Sequence, residues 1–119
     1  MVRVKDAVGK FGEDVAVQRL SAAGLRILDR NWRCAEGEID IVAADGDVLV
    51  ICEVKTRSGL AYGDPAEAVI AAKAARLRRL ALRWLAAHDL AWADLRFDVV
   101  TVLRRAEGGL LVRHLRGAF

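Results

Sequence analysis

Three acidic residues and a lysine fall in two short runs of this chain, and their types and spacing could bind a divalent metal ion. The runs are GEIDIV at 37–42 and VICEVK at 50–55. Oxygen-only ligands favour a hard cation such as Mg²⁺ or Mn²⁺, whereas zinc would normally recruit histidine or cysteine. The sequence therefore directs attention to metal-dependent chemistry at Asp40 and Glu53.

These two runs are typical of the strands of one antiparallel hairpin. An Asp-Gly turn at 45–46 would place Glu53 opposite Glu38. Asp40 and Glu53 then become diagonal neighbours, roughly 7 to 8 Å apart at the backbone, so both can reach one ion. Lys55 shares their face of the sheet. Because side chains alternate between faces, the other face is predicted to enter a core through Ile39, Ile41, Ala43, Val48, Val50, Cys52 and Val54.

The acidic face has two interpretations. Two unit charges ~6 Å apart at an effective dielectric of ~20 repel by about 3 kcal/mol, and Lys55 can cancel only part of this, so a bound cation is expected. The alternative is a set of solvated charges on an exposed face. Val42, Leu49 and Ile51 share the face with the charges, which favours a face covered by another element.

Length and composition predict a single domain over residues 1–119, which is long enough for one core. The amino terminus lacks the apolar region of a signal peptide, and no stretch approaches ~20 apolar residues, so we predict a soluble cytoplasmic protein with no membrane association. Cys34 and Cys52 have no zinc-binding spacing. The formal net charge of +3 is compatible with a polyanionic partner.

A first helix must position one further acid. Apolar periodicity predicts a helix over about residues 4–23, ended by Gly24. Its predicted apolar stripe contains Val8, Phe11, Val15 and Ala22, widened by Ala16, Leu20 and Ala23. Glu13 lies off the polar face, on the side that should meet the sheet, which makes it a candidate site residue. A first strand is predicted over about 25–32.

A second helix is predicted to begin at DPAE, 64–67, where an N-cap acid precedes a proline, and to run to about Ala87. Its apolar stripe is Ile70, Ala74, Leu77, Ala81 and Trp84. A basic ridge follows another side through Lys73, Arg76, Arg79 and Arg83, which could bind a phosphate backbone or be an ordinary solvated face. A second hairpin is predicted over 95–103 and 110–115. Together these elements predict an α/β domain with a mixed sheet of about five strands flanked by helices.

An acid on one strand, a Glu-x-Lys on its partner and a preceding helix with a glutamate resemble the PD-(D/E)xK nuclease superfamily, which implies the restriction-endonuclease-like fold. The order of motifs is similar to that of archaeal Holliday-junction resolvases. Ile39 stands where the superfamily name has proline. More narrowly, the chain resembles the uncharacterised YraN-like family in GE at 12–13, GEIDI at 37–41, EVKTR at 53–57, the segment 65–73 and RFDVV at 96–100.

The resemblance implies a set of metal-binding positions: Asp40, Glu53, the backbone carbonyl of Val54, and Glu13 directly or through water. Lys55 would orient or help deprotonate the attacking water and stabilise charge on the phosphate. Glu38 matches the narrower family's motif and would support the neighbouring ligands without binding the ion.

Two functions follow as predictions. The first is a Mg²⁺- or Mn²⁺-dependent nuclease that hydrolyses phosphodiester bonds of DNA, branched or repair intermediates included, with Arg57, Lys73 and Arg76 holding flanking phosphates. The second is a non-catalytic nucleic-acid-binding or accessory module that retains the fold. Resolvase-like relatives commonly work as dimers, so the resemblance includes a homodimer among the oligomeric states that the sequence leaves open.

Overall fold

One mixed sheet organises the chain, with a helix on each of its faces. The computed structural model describes residues 4–58, 71–92 and 94–118. The elements follow the order α1 (Val4–Ala22), β1 (Arg26–Cys34), β2 (Gly37–Asp45), β3 (Val48–Ser58), α2 (Ala71–Ala87), β4 (Asp94–Arg104) and β5 (Leu110–Leu115). The predicted α/β class and the mixed sheet of five strands are confirmed.

The strands lie in the sheet in chain order, β1-β2-β3-β4-β5. The pairs β1·β2, β2·β3 and β4·β5 are antiparallel, whereas β3 and β4 are parallel. A parallel pair needs a long crossover connection, and α2 lies in the one between β3 and β4. This crossover brings a helix back across the sheet face at the end where the acidic residues lie.

The β2–β3 hairpin has a different turn from the predicted one. Asp45 pairs with Val48, so Gly46 and Asp47 form the two-residue loop and the predicted turn at 45–46 is wrong. Gly46 takes a φ of 59°, a left-handed conformation that glycine adopts without a Cβ penalty. The register moves by two residues, which preserves the face of each side chain but changes which residues are neighbours.

Two hydrophobic clusters lie on opposite faces of the sheet. The cluster beside α1 contains Ala16, Leu20, Leu25, Ile41, Ala43, Val50, Cys52, Val100 and Val102. The cluster beside α2 contains Ile39, Val42, Leu49, Ile51, Leu77, Leu80, Ala81, Trp84, Leu85 and Phe97. The central strands are therefore buried on both faces, and α2 is the element that covers the apolar part of the acidic face.

Ile39 lies on the opposite side from the predicted one. It packs in the cluster beside α2, whereas Ile41 packs beside α1 as expected. The recorded pairing between β2 and β3 ends at Ile41 with Cys52. Beyond that pair β2 is no longer in regular register with β3. The alternation of side chains between the two faces of the sheet is therefore interrupted at Asp40.

The buried stripe of α1 agrees with the predicted one only in part, because Ala16 and Leu20 are buried as predicted. Val8 and Phe11 are 40% and 44% exposed. The buried row consists of Gly12, Ala16 and Leu20, which are four residues apart and so share one helix face. Small residues in this row let α1 lie close to the sheet.

Gly12 sits directly against Thr56 of β3. A Cβ added at Gly12 would overlap Thr56 Oγ1 and lie 3.1 Å from Thr56 Cβ. Threonine is branched at Cβ and stiff at χ1, so it cannot easily move away. The close approach at Gly12 brings the next residue, Glu13, to the sheet.

The described part of α2 ends at Ala87 as predicted, with Leu77, Ala81 and Trp84 buried. The predicted helix start at 64–67 and Ile70 lie outside the described residues. Neither helix, where it is described, is long and apolar enough to cross a bilayer.

Gly12→Ala is expected to destabilise the fold by about 1 to 3 kcal/mol, because the added methyl group forces α1 away from Thr56. Gly9→Ala is the matched control. A Cβ at Gly9 meets nothing within 4 Å, so alanine there should stabilise α1 by up to about 1 kcal/mol through helix propensity. Urea unfolding of both variants measures the difference, and equal stabilities would contradict a close approach at Gly12.

Candidate functional site

Asp40 and Glu53 lie next to each other at the open end of the β2–β3 ladder. The last recorded pair is Ile41 with Cys52, and Asp40 and Glu53 are the next residues on the two strands. Both line a cavity of about 180 Å³ between the sheet and α2. The shifted register thus makes them neighbours across the strands, instead of the predicted diagonal neighbours.

Asp40 is a poorly compensated acid. Burial raises its pKa from 3.8 to about 6, and the negative charges of Glu13, Glu53 and Glu38 add to the shift. The Val54 backbone N–H donates a hydrogen bond to Asp40 Oδ2 at 2.8 Å, which acts to lower the pKa. A cation at this position would relieve the repulsion that a single backbone hydrogen bond leaves.

Glu53 is held by two lysines. Lys55 Nζ and Lys73 Nζ lie 2.9 and 3.3 Å from the same oxygen, Glu53 Oε1. Burial pushes the pKa of Glu53 up, but the two ammonium groups outweigh it and hold the pKa below its ordinary value. The proximity of Lys55 in turn lowers the pKa of Lys73. Glu53 Oε2 is buried and has no hydrogen-bond partner among the described residues.

Glu13 approaches Asp40 from the other face of the sheet. Its side chain is 16% exposed, and it lines a second cavity of about 430 Å³ together with Asp40, Val54 and Thr56. Arg30 Nη2 lies 3.8 Å from Glu13 Oε1. The helix periodicity placed Glu13 toward the sheet, and the close packing at Gly12 brings it there.

The other candidate residues differ in their distance from the cavity that Asp40 and Glu53 line. Glu38 and Arg76 line the cavity that holds Asp40, and Glu38 Oε2 also lies 3.5 Å from the Nε of Arg33. Arg57 is exposed, and its Nη1 donates to the carbonyl of Thr56 at 3.0 Å. The cavity is thus lined by Arg76 and Lys73, but not by Arg57.

The basic ridge of α2 has an acidic partner that the sequence did not reveal. Glu36, in the turn between β1 and β2, lies 3.5 Å from Arg79 Nε and 3.1 Å from Arg83 Nη2. These contacts join residues more than forty positions apart, so no local pattern could have found them. Glu36 neutralises part of the ridge and leaves Lys73 and Arg76 at the end nearest the cavity.

The donor set fits a hard divalent cation that keeps some of its water. Within the described ranges, no group of three or more His, Cys, Asp or Glu side chains is arranged to hold a metal ion. Asp40 and Glu53 nevertheless supply two carboxylates at one cavity, one of them with a buried, unpartnered oxygen. Mg²⁺ is commonly bound through one or two carboxylates with water in the remaining positions.

A fully buried acid, Asp98 on β4, was not singled out from the sequence. Its carboxylate accepts hydrogen bonds from Arg96 Nε at 2.9 Å and from the Gly117 backbone at 3.0 Å. His114 Nε2 lies 2.7 Å from Asp98 Oδ2. Burial raises the pKa of Asp98, but Arg96 and the other donors hold it below its ordinary value. Arg96 and Asp98, two apart on a strand, share a face, which was the available signal.

Comparison with known proteins identifies similar chains of the same length. A model described as "Uncharacterised protein family UPF0102" matches residues 12–102. A UPF0102 protein of Frankia casuarinae is 61% identical over 118 residues, covering 99% of this chain and 100% of that one. A UPF0102 protein of Beutenbergia cavernae is 58% identical over 116 residues, covering 98% of each. These matches confirm the narrower resemblance, and the nuclease superfamily stays a prediction.

Asp40 should make the protein less stable as the pH rises from about 4 to about 6. In this interval the unfolded chain has released the proton that folded Asp40 still binds, so the free energy of unfolding falls with increasing pH. Asp40→Asn should remove this dependence, which melting temperatures measured without divalent cations would show. Asp47→Asn, in the exposed hairpin turn, should behave like the parent; identical pH profiles for all three proteins would contradict the raised pKa.

Proposed function

This chain belongs to the UPF0102 family, and we propose that it is a metal-dependent nuclease that hydrolyses phosphodiester bonds of DNA. The observation that carries the proposal is the pair Asp40 and Glu53 at one cavity, with Glu53 Oε2 buried and unpartnered within the described structure. Lys55 contacts the same carboxylate. Two carboxylates can bind one divalent ion, and a lysine beside them can stabilise negative charge that develops on a phosphate.

Asp40 and Glu53 would hold the ion, with the Val54 carbonyl and Glu13 as further ligands, Glu13 directly or through water. Bound Mg²⁺ or Mn²⁺ would supply a water of lowered pKa and neutralise negative charge on the phosphate. Lys55, which is 16% exposed, would orient that water and stabilise the charge that develops on the phosphate oxygens. Glu38 would support the ligands through its charge.

Substrate binding is assigned to the basic residues beside the cavity. Arg76 and Lys73 line it from α2, where each could neutralise a phosphate flanking the reacting one. Arg57 is exposed and follows Lys55 on β3, so it would contact a phosphate of the DNA backbone farther from the cavity. Two copies of the chain would present two sites to a duplex or branched substrate, and we include a homodimer in the proposal.

Asp40→Asn and Lys55→Met should each lower the rate of cleavage by about 10²-fold to 10⁴-fold, because the first weakens ion binding and the second removes charge stabilisation. Asp47→Asn removes a carboxylate from the exposed end of the same hairpin and should cleave like the parent. The assay uses labelled branched, single-stranded and duplex DNA with Mg²⁺ or Mn²⁺. Undiminished metal-dependent cleavage by pure Asp40→Asn would rule out this mechanism.

The second candidate function is nucleic-acid binding without cleavage. It is favoured by the exposed arginines of α2, namely Arg76, Arg78, Arg79 and Arg83. Counterion release at such a surface makes affinity fall steeply with salt concentration, whether or not a bond is cut. In this case the acidic residues would matter less than the basic ones.

Glu36→Gln should strengthen binding to a DNA duplex by about threefold at low salt, because it releases Arg79 and Arg83 to the phosphates. Glu107→Gln is the control, since it removes the same charge from the exposed turn between β4 and β5. Fluorescence anisotropy over a salt series measures both. Equal affinities of the two variants would show that α2 does not face the nucleic acid.

A further inference from the structure

Lys73 contacts the carboxylate of Glu53, which the proposed function assigns to the metal ion. Its Nζ lies 3.3 Å from Glu53 Oε1, and Lys55 Nζ lies 2.9 Å from the same atom. Lys55 is two residues from Glu53 on β3, whereas Lys73 comes from α2 on the far side of the crossover. One carboxylate oxygen is therefore shared between two cations from different elements.

The two lysines differ in how easily they could leave Glu53. The side chain of Lys55 is 16% exposed and that of Lys73 is 33% exposed. A lysine on the rim of a cavity can keep its aliphatic stem packed while its ammonium group turns to water or to another anion. A divalent cation at Asp40 and Glu53 would repel both ammonium groups, and Lys73 is the one free to move.

We propose that Lys73 is an internal counter-ion: it neutralises Glu53 while no divalent cation is bound, yields the carboxylate when one binds, and then contacts a substrate phosphate. The inference rests on the proposed function. Arg76 and Leu77 of the same helix line the cavity, so a released Lys73 stays at its mouth. Metal ion and nucleic acid then bind with positive coupling, which is reciprocal by linkage.

Charge balance supports this order of events. Without a divalent cation, the three acids that line the cavity, Glu38, Asp40 and Glu53, are matched in number by Lys55, Lys73 and Arg76, although both lysines contact Glu53 and neither contacts Asp40. A divalent cation on the acids leaves an excess of positive charge at the cavity, and a phosphodiester supplies the negative charge that offsets it. The metal-free protein should therefore bind substrate more weakly than the metal-bound protein does.

The test is calorimetric titration of Mn²⁺ into the parent protein and Lys73→Met, without nucleic acid. Loss of the competing ammonium should tighten Mn²⁺ binding about fivefold. Arg78→Met is the matched control, because it removes one positive charge from the same helix at an exposed position that lines a different cavity, beside Phe97. Its affinity for Mn²⁺ should stay within about twofold of the parent. Lys73→Gln provides a second uncharged variant.

A second measurement follows anisotropy of a labelled DNA duplex with and without Ca²⁺. The parent should gain affinity for DNA when Ca²⁺ is present, and Lys73→Met should lose most of that gain. If the parent binds Mn²⁺ but both Lys73 variants bind it equally or more weakly, the counter-ion role is overturned and the nuclease proposal stands. If Mn²⁺ binding to the parent is absent or survives Asp40→Asn, the proposed function itself fails, and this inference with it.

Discussion

Burial of β2 and β3 on both faces is the constraint on which the rest of the structure depends. Side chains of these strands enter one cluster beside α1 and another beside α2, and an unpaired charge in either would be costly. Charged groups on these strands are therefore confined to the two ends of the ladder, with Asp45 at the turn and the candidate site residues at the open end, beyond Ile41 and Cys52. Both helices reach that end: α1 brings Glu13 and α2 brings Lys73. The position of the site follows from where the core stops.

Two aspartates, Asp98 fully buried and Asp40 partly buried, show that this fold compensates the charge of its acids to different degrees. Asp98 is fully buried, but it accepts hydrogen bonds from Arg96 and the Gly117 backbone and lies beside His114, so its pKa is lowered. It ties β4, β5 and the carboxyl-terminal segment together. Burial raises the pKa of Asp40, one backbone hydrogen bond opposes the shift, and the surrounding acids add to it. The first arrangement stabilises the fold, and the second leaves a site that a cation would stabilise.

Basic residues of α2 form ion pairs with different acids along the helix. At one end Lys73 contacts Glu53, and farther along Arg79 and Arg83 contact Glu36. Arg76 lies between these pairs and lines the cavity. Part of the positive charge on the helix surface is therefore neutralised by ion pairs with the protein's own carboxylates. Such internal pairing reduces the positive potential of the helix surface. Under the proposed function, ligand binding would release part of this charge.

The sequence by itself determined the elements, their order and the acidic hairpin, because alternation, helix periodicity and turn residues act over a few positions. The family resemblance rested on motifs of the same kind. Tertiary structure decided the two-residue change of register, the side on which Ile39 packs and the buried row through Gly12. It also decided the partners of Glu53 and Glu36, since α2 returns across the sheet and its cations lie 20 to 47 positions away along the chain. Local preferences do not encode such contacts, which depend on how a helix docks.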